Sequence, residues 1–367
     1  MRHSVLAQAL ILAVAATGCG ATSDDASTGG DESAVKRRDA GADSGHDAGR
    51  DAGHEAGTDA GLDASSEGGE GGEGGEGGPD ASRADGGGHA IQTVFLILLE
   101  NHNWSSIKGN ASAPYINGTL LPMGSHAEAY MNPPGNHPSE PNYIWLESGS
   151  NLGVTNDNPP SSNHQSTTAH LSTLLDAAGV SWKSYAEGIT GSTCPLTTSG
   201  LYAPKHVPFV FFDDVTNTNS STSQKCIQHI RPYSELATDL TQGSVARYNF
   251  ITPDLCDDMH NSTGCASTDS VKNGDGWLAR ELPKILASNA YTTGGAVFIT
   301  WDESEGGDVP IGMIVLSPNA KGNGYANSIA YTHSSTLRTV QEIFGATPLL
   351  RDAANASDLS DLFTAFP

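Results

Sequence analysis

The segment Thr93–Leu99 (TVFLILL) decides how the rest of this sequence is interpreted. It is a continuous apolar run rich in β-branched residues, and it ends abruptly at Glu100-Asn101-His102. Such a run is typical of a strand that is buried on both faces, as in a sheet covered by helices. The sequence therefore predicts a central strand that runs directly into polar side chains.

Three further segments share this design and are predicted to be strands: Tyr248–Thr252 (YNFIT), Ala296–Trp301 (AVFITW) and Met313–Leu316 (MIVL). The first two also end at carboxylates, in Pro253-Asp254 and Asp302-Glu303, whereas the third ends at Ser317 and a proline. Three of the four predicted strands thus lead into acidic residues.

Segments with helical periodicity lie between these strands. They are Thr167–Ala178, followed by Gly179, Trp277–Ala287, and Ser334–Phe344, followed by Gly345. A glycine after the last periodic residue is a common helix end. Strands that alternate with helices predict an α/β fold, here a three-layer sandwich with a mostly parallel central sheet.

The acidic residues at the strand ends predict a metal site. In open α/β sheets, ligands bind beyond the carboxyl ends of the strands. The carboxylates expected there are Glu100, Asp254, Asp302 and Glu303. One such residue alone also suits a loop or a helix cap, but several close together repel one another unless they are protonated or bridged by cations. Oxygen ligands with a few imidazoles suit a divalent metal ion.

The segment from Asp254 to His260 (DLCDDMH) offers further ligands. Asp254, Asp258 and His260 are close enough in sequence to share one metal ion, and Asp257 is interpreted as a bystander. His333 precedes the last predicted helix and is either a late ligand or simply a residue at the start of that helix.

A candidate nucleophile is Ser139, in the segment 137–143 (HPSEPNY), which precedes an apolar-periodic stretch. One interpretation is that Ser139 only caps a helix, with Pro141 in the first turn. The other is that its hydroxyl loses a proton beside metal ions, while the exposed helix amides hold a phosphate. The local pattern favours neither interpretation over the other.

Five motifs, in order, resemble the bacterial phosphoesterase family. They are Glu100-Asn101-His102-Asn103-Trp104 with 113–117 (APYIN), 138–143 (PSEPNY), 252–260 (TPDLCDDMH), 298–303 (FITWDE) and 331–335 (YTHSS). That family groups acid phosphatases, phosphatidylinositol-3-phosphatase-like proteins and phospholipase C enzymes within the alkaline-phosphatase-like superfamily. The resemblance runs from about residue 92 to residue 364, and it implies an alkaline-phosphatase-like fold.

The resemblance also implies roles for individual residues. Glu100 and Asn101 would help to hold a metal ion, and Asp302 and Glu303 would complete its shell. Ser139 would be the attacking residue. The residues at or near a second metal position would be Asp254, Asp258, His260 and His333.

The implied activity is metal-dependent hydrolysis of phosphate monoesters through a phosphoserine intermediate. The alternative within the family is a phospholipase C-type phosphodiesterase, for which Tyr202–Phe212 (YAPKHVPFVFF) would form an apolar entrance unless it is a core strand. A different class is a non-catalytic surface binding module, but no motif carboxylate is missing. Glu140 stands where relatives usually carry an apolar residue, and its charge would repel a dianionic phosphate.

Composition divides the chain of 367 residues into two parts. The net charge is −24, from 42 acidic and 18 basic residues, so nucleic acid is not an expected partner. Residues 20–90 hold 17 of the acidic residues and 20 of the 43 glycines, in Asp-Ala-Gly and Glu-Gly-Gly repeats. They cannot form an apolar core, so a disordered linker is favoured over a calcium-binding repeat. Residues 91–367 are the predicted catalytic domain.

Residues 1–19 are predicted to be an export signal, because an apolar stretch of twelve residues is too short to span a bilayer. The end of this segment, Ala16-Thr17-Gly18-Cys19, resembles a lipobox. It implies lipidation of Cys19 and a cell-envelope or outer-membrane lipoprotein. If Cys19 is not lipidated, the protein would be secreted.

The four remaining cysteines form an even set in an exported domain, so two disulfide bonds are expected. Proximity favours Cys256 with Cys265 and leaves Cys194 with Cys226. No Cys-x-x-Cys pair is present, which argues against a zinc site.

Overall fold

The computed structural model describes residues 89–367. The predicted signal segment, the lipidation of Cys19 and the predicted linker up to residue 88 lie outside the described residues. Ten strands are present in the described part: β1 (Thr93–Leu99), β2 (Ser125–Ala127), β3 (Tyr130–Met131), β4 (Trp182–Ala186), β5 (Ile230–Pro232), β6 (Tyr248–Thr252), β7 (Gly295–Trp301), β8 (Met313–Leu316), β9 (Tyr325–Asn327) and β10 (Tyr331–Thr332).

Eleven α-helices connect these strands within residues 89–367. They are α1 (Trp104–Ile107), α2 (Leu121–Met123), α3 (Ser139–Ser148), α4 (Pro160–Asn163), α5 (Leu171–Ala177), α6 (Asp213–Thr216), α7 (Gln224–His229), α8 (Leu236–Gln242), α9 (Ser270–Leu286), α10 (Asn289–Thr292) and α11 (His333–Phe344). Short 3₁₀ segments lie at Pro204–His206, Pro208–Phe211, Tyr233–Glu235, Arg351–Ala354 and Ser360–Leu362, and a π-helical turn lies at Ile116–Leu120. None of the described helices is long and apolar enough to cross a bilayer.

Eight strands form one sheet in the order β5-β4-β6-β1-β7-β8-β2-β9, and β3 pairs with β10 separately. In the large sheet, β1 pairs in parallel with both β6 and β7. The strand β8 runs antiparallel to its neighbours β7 and β2. The predicted α/β fold with a mostly parallel sheet is confirmed.

The direction of β8 explains why no carboxylate follows it. Its carboxyl end lies at the opposite edge of the sheet from the ends of β1, β6 and β7, because β8 is antiparallel to β7. The strands β1 and β7 are buried at every position, including side chains that point to opposite faces. The central strands are therefore covered on both sides, as their unbroken apolar sequences predicted.

Helix boundaries agree with the predictions less closely. Helix α5 begins at Leu171 rather than Thr167, and α9 begins at Ser270, seven residues before the predicted start. The early part of α9 contains Gly274, where an added Cβ would lie 2.3 Å from Met259 Cγ. This glycine permits close packing, although its low helix propensity hid the first two turns of the helix.

The segment Tyr202–Phe212 is neither a strand nor an apolar entrance. It forms two short 3₁₀ helices, and Phe209 and Phe212 are fully buried. Prolines at 204 and 208 interrupt any strand ladder, which explains the turns. Both predicted disulfide bonds are confirmed: Cys194 pairs with Cys226, and Cys256 pairs with Cys265.

Candidate active site

Two neighbouring parallel strands bring the acidic motifs together. Leu99 at the end of β1 is in register with Trp301 at the end of β7. The backbone N–H of Asp302 donates to Leu99 O at 2.9 Å, and the N–H of Asn101 donates to Asp302 Oδ1 at 2.8 Å. Residues about 200 positions apart in sequence are thus neighbours at one edge of the sheet, as the strand pattern predicted.

Ser139 is the first residue of α3, and the residue in the N-cap position is Pro138. The interpretation of Ser139 as the helix cap is therefore wrong. Its hydroxyl donates instead to Glu100 Oε2 at 3.0 Å, and the other oxygen of Glu100 accepts from Tyr143 Oη at 2.5 Å. Ser139 and Tyr143 are four residues apart and share one face of α3. Together they hold the Glu100 carboxylate from both oxygens.

The Asn101 side chain lies against the two acidic residues that follow β7. Its backbone has a φ of 41°, a left-handed conformation that Asn adopts more readily than most residues. One terminal atom of its side-chain amide lies 3.2 Å from Asp302 Oδ1 and 3.1 Å from Glu303 Oε1. With nitrogen in that place, the amide would donate to both carboxylates. With oxygen in that place, three oxygens converge, as around a metal ion.

His206 is a site residue that the sequence analysis missed. Its Nε2 lies 3.3 Å from Glu100 Oε1, and its Nδ1 lies 3.3 Å from Asp258 Oδ2. Its ring stacks on Tyr143 with a centroid separation of 5.0 Å. It belongs to the segment Tyr202–Phe212. A histidine within a run of aromatic residues was the sequence feature that could have identified it.

Asp258 approaches Glu100 through the backbone as well, because the N–H of Glu100 donates to Asp258 O at 2.7 Å. The carboxylate of Asp258 accepts from the backbone N–H of His260 at 2.7 Å through Oδ1. Its Oδ2 is buried without a hydrogen-bond partner in the described residues, and so is Nε2 of His206. Buried polar atoms without partners are costly, so these two mark a place where a ligand would be stabilised.

The electrostatics of the site disfavour several ionised acids at once. Burial and the charge of Asp258 raise the pKa of Glu100 well above its usual range. Burial, together with the charges of Glu100 and Glu303, does the same for the pKa of Asp302. Burial also raises the pKa of Asp258 well above its usual range. A divalent cation would reverse this field, since it stabilises the ionised carboxylates.

The residues present therefore fit a metal ion at the first predicted position. The side chains that would hold it are Glu100, Asn101, Asp302 and Glu303. The fit depends on the concentration of buried carboxylates and on the approach of Asp302 and Glu303 to the Asn101 amide.

The residues predicted near a second metal position have different neighbours. Asp254 Oδ1 accepts from the backbone N–H groups of Cys256 and Asp257. Asp254 also lies in an acidic cluster with Glu187 and Asp257, in which one oxygen of each is within 4.8 Å of the others. Glu187 was not predicted to be a site residue. Asp257, which was interpreted as a bystander, belongs to this cluster.

The two histidines of that predicted set differ in burial, although the ring centroid of His260 lies 6.1 Å from that of His206. His260 is exposed at the surface. His333 is fully buried; its Nε2 lies 2.6 Å from Asp302 O, and its Nδ1 lies 3.1 Å from Tyr130 Oη. Burial lowers the pKa of His333 to about 4, so its imidazole is neutral. Both ring nitrogens therefore have partners within the protein: Nε2 contacts the residue that follows β7, and Nδ1 contacts a tyrosine of β3.

A cavity of about 370 Å³ opens beside the first position. Its lining includes Asn101, Glu303 and His137, and His137 Nδ1 contacts Glu303 Oε2. A larger cavity of about 490 Å³ lies instead beside Glu187 and Asp254. The smaller cavity thus borders two of the residues at the first predicted metal position.

Comparisons with known proteins agree with the sequence motifs. The sequence profile described as Phosphoesterase family matches residues 128–347. A phosphatidylinositol-3-phosphatase from Mycobacterium tuberculosis is 29% identical over 271 residues, which are 74% of this chain and 82% of that protein. A probable acid phosphatase from Kluyveromyces lactis is 25% identical over a region that covers 59% of this chain and 49% of that protein. A phosphate-repressible acid phosphatase from Penicillium chrysogenum is 26% identical over a region that covers 59% of this chain and 51% of that protein.

The chain thus spans about half the length of these two fungal relatives. Among solved structures, human ectonucleotide pyrophosphatase/phosphodiesterase 5 matches with a TM-score of 0.49 and 12% identity, over 75% of this chain and 100% of that chain. A protein in the alkaline phosphatase superfamily from Vibrio parahaemolyticus matches with a TM-score of 0.47 and 9% identity, over 74% of this chain and 72% of its own. The family profile covers more than half of the chain, and the chain therefore belongs to the Phosphoesterase family, as a phosphoric ester hydrolase.

Proposed function

We propose that this chain hydrolyses phosphate monoesters, with Ser139 as the nucleophile and a divalent metal ion beside it. The observation that supports this most directly is the position of the Ser139 hydroxyl. It is buried at the start of α3 and donates to Glu100 Oε2 at 3.0 Å. The side chains of Asn101, Asp302 and Glu303 lie at the same strand ends.

The metal ion would be held by Glu100, Asn101, Asp302 and Glu303. When bound, the ion supplies positive charge that lowers the pKa of the Ser139 hydroxyl and offsets the charge of the phosphate. The protein contributes the orientation of the nucleophile. Tyr143 fixes the Glu100 carboxylate, and Glu100 in turn fixes the hydroxyl.

The proposed reaction has two displacements at phosphorus. Ser139 Oγ gives up its proton and attacks the phosphorus atom, and the bond to the ester oxygen breaks. The departing oxygen takes up a proton and leaves as the alcohol, and Ser139 carries the phosphoryl group. A water molecule then attacks the phosphorus atom, the bond to Oγ breaks, and inorganic phosphate leaves while Ser139 regains its proton. The buried N-terminus of α3 supports this chemistry because helix amide groups stabilise phosphoryl oxygens.

The second metal position remains a prediction. Asp254 clusters with Glu187 and Asp257, and both nitrogens of His333 have partners within the protein. His260 stays next to Asp258, and its ring centroid lies 6.1 Å from that of His206. We therefore assign the proposed chemistry to the first position.

Glu140 does not argue against a phosphate substrate. Its side chain is fully buried, and Oε1 accepts from Asn163 Nδ2 at 2.7 Å. Burial raises the pKa of Glu140 to about 8, so the side chain carries a proton at neutral pH. A protonated Glu140 does not repel a dianionic phosphate in the way that a carboxylate would.

The substrate class is proposed to be a phosphate monoester, and the name of the Mycobacterium tuberculosis relative favours a phosphoinositide among these. The aromatic segment Tyr202–Phe212 is buried, so it does not favour a phospholipase. The test is to assay the full chain on a chromogenic phosphomonoester, its matching phosphodiester and phosphatidylinositol 3-phosphate vesicles, with and without chelator. Monoester turnover that chelator abolishes supports the proposal, whereas turnover of the diester alone contradicts it.

We further propose that the protein is exported and anchored to a membrane through Cys19. The lipobox-like sequence supports this, and two disulfide bonds suit an oxidising compartment. Labelled fatty acid should enter the expressed wild-type protein and not the Cys19→Ser variant. Export without labelling would contradict the anchor and favour secretion.

A further inference from the structure

Lys205 places a positive charge beside the acidic site. It lies in the 3₁₀ segment Pro204–His206, directly before His206, whose ring lies 3.3 Å from both Glu100 and Asp258. Its side chain is 21% exposed, and Nζ lies 2.8 Å from Asp157 Oδ2. The buried His206 ring therefore fixes the backbone from which Lys205 projects.

The partner of Lys205 connects it to the nucleophile. Asp157 accepts from Lys205 Nζ through Oδ2, and from the backbone N–H of Glu140 through Oδ1 at 3.0 Å. Glu140 directly follows Ser139 in α3. The Lys205 amine and the amide of the residue after the nucleophile thus converge on the two oxygens of one carboxylate.

We infer that Lys205 and the Glu140 amide bind the phosphoryl oxygens of the substrate, and that the Asp157 carboxylate occupies their position until a phosphate ester displaces it. The inference deepens the proposed function and rests on it. A phosphate group presents pairs of oxygens at a separation close to that of a carboxylate, so it can accept from the same two donors.

The charge balance of the site supports this role for Lys205. Burial alone would lower the pKa of Lys205. The hydrogen bond to Asp157 and the charges of Glu100 and Asp302 outweigh this effect and raise the pKa above its usual value, so the amine stays protonated. The acids of the site would otherwise repel a dianionic phosphate. Lys205 gives the site a positive charge of its own.

The position of Asp157 would allow a phosphate ester to displace its carboxylate. It lies on the loop between α3 and α4, its side chain is 28% exposed, and its neighbours along the chain are exposed. The carboxylate can therefore move into solvent without breaking core contacts. Lys205 and the Glu140 amide, in contrast, lie on elements that pack against the site.

The test measures binding of inorganic phosphate to the full chain by calorimetry, which needs no turnover, together with KM for a chromogenic phosphomonoester. We expect Lys205→Met to weaken phosphate binding and to raise KM by about tenfold or more, because a hydrogen bond to a charged group is lost. Lys205→Arg should restore most of the binding. Asp157→Asn should bind phosphate more tightly than the wild type, since the competing charge is removed.

Lys225→Met is the matched control, because Lys225 is also partly buried and paired with two carboxylates but lies away from Ser139. It should bind phosphate as the wild type does, and thermal unfolding should show that each variant folds. Phosphate binding by Lys205→Met within twofold of the wild type would overturn the inference. Weaker phosphate binding by Asp157→Asn would overturn the proposal that phosphate displaces the Asp157 carboxylate. Asp157 would then only position Lys205. If the wild type binds phosphate but hydrolyses no ester, the proposed function fails while the inference about binding stands.

Discussion

Ser139 Oγ donates a hydrogen bond of 3.0 Å to Glu100 Oε2, which joins the first residue of α3 to the residue after the central strand β1. Both side chains are almost completely buried. Ser139 is the first residue of α3, after the N-cap residue Pro138, and its hydroxyl therefore bonds outside its own helix. This bond orients the hydroxyl toward the acidic residues of the strand ends, where the proposed chemistry requires it.

Tyr143→Phe should lower kcat by about tenfold or more with little change in KM. The tyrosine donates to Glu100 Oε1 at 2.5 Å, and the loss of a hydrogen bond to a charged group costs about 1.5–3 kcal/mol. Steady-state kinetics checks the prediction. Tyr185→Phe, which removes a buried hydroxyl that donates to Asp239, is the control and should leave kcat unchanged. An unchanged kcat in Tyr143→Phe would show that Glu100 needs no such support.

Asp302→Asn should abolish the stabilisation of the protein by added divalent metal ions. The residue lies with Asn101 and Glu303 at the proposed metal position, and a ligand that binds only the folded state raises its stability. The melting temperature with and without Mg²⁺, Mn²⁺ or Ca²⁺ measures the effect. Asp254→Asn is the matched control, because Asp254 clusters with Glu187 and Asp257 instead. Equal loss of metal response in both variants would place Asp254 at the same ion.

Glu140→Gln should change how stability depends on pH. Burial raises the pKa of Glu140 from 4.5 to about 8, so the folded state retains a proton that the unfolded chain releases. The stability from this group is therefore fully present below pH 4.5 and is lost as the pH rises through 8. Glutamine cannot ionise, so the variant should gain stability relative to the wild type between pH 5 and pH 9, by at most about 5 kcal/mol.

Urea unfolding of the variant and the wild type at pH 5 and at pH 9 measures this difference in the free energy of unfolding. The control is Glu305→Gln, which changes an exposed carboxylate and should show no such gain. If Glu140→Gln lost stability with pH as steeply as the wild type does, Glu140 would be ionised in the folded protein.

The sequence predicted the sheet well because its central strands are buried on both faces. An unbroken apolar run such as Thr93–Leu99 has few other stable environments, and the polar residues after it mark one edge of the sheet. Helix α9 was predicted too short because Gly274 and Gly276 lower helix propensity, and the contact of Gly274 with Met259 is not visible in sequence.

The candidate site was predicted only in part. The strand ends gave Glu100, Asp302 and Glu303, since parallel strands end at one edge. The contacts of His206 with Glu100 and Asp258 depend on a loop conformation that a local pattern does not specify. The same is true of the carboxylate that links Lys205 to the Glu140 amide, because Asp157 lies 48 residues from Lys205 in sequence.

The central claim is that Ser139 carries the phosphoryl group during turnover. The most direct measurement is acid quenching of the full chain during turnover of a phosphomonoester, followed by mass spectrometry of the peptide that contains Ser139. We predict a phosphorylated Ser139 in the wild type, and neither phosphorylation nor turnover in Ser139→Ala, while Ser148→Ala in the same helix keeps both. Full turnover by Ser139→Ala, or phosphate on a different residue, would contradict the account.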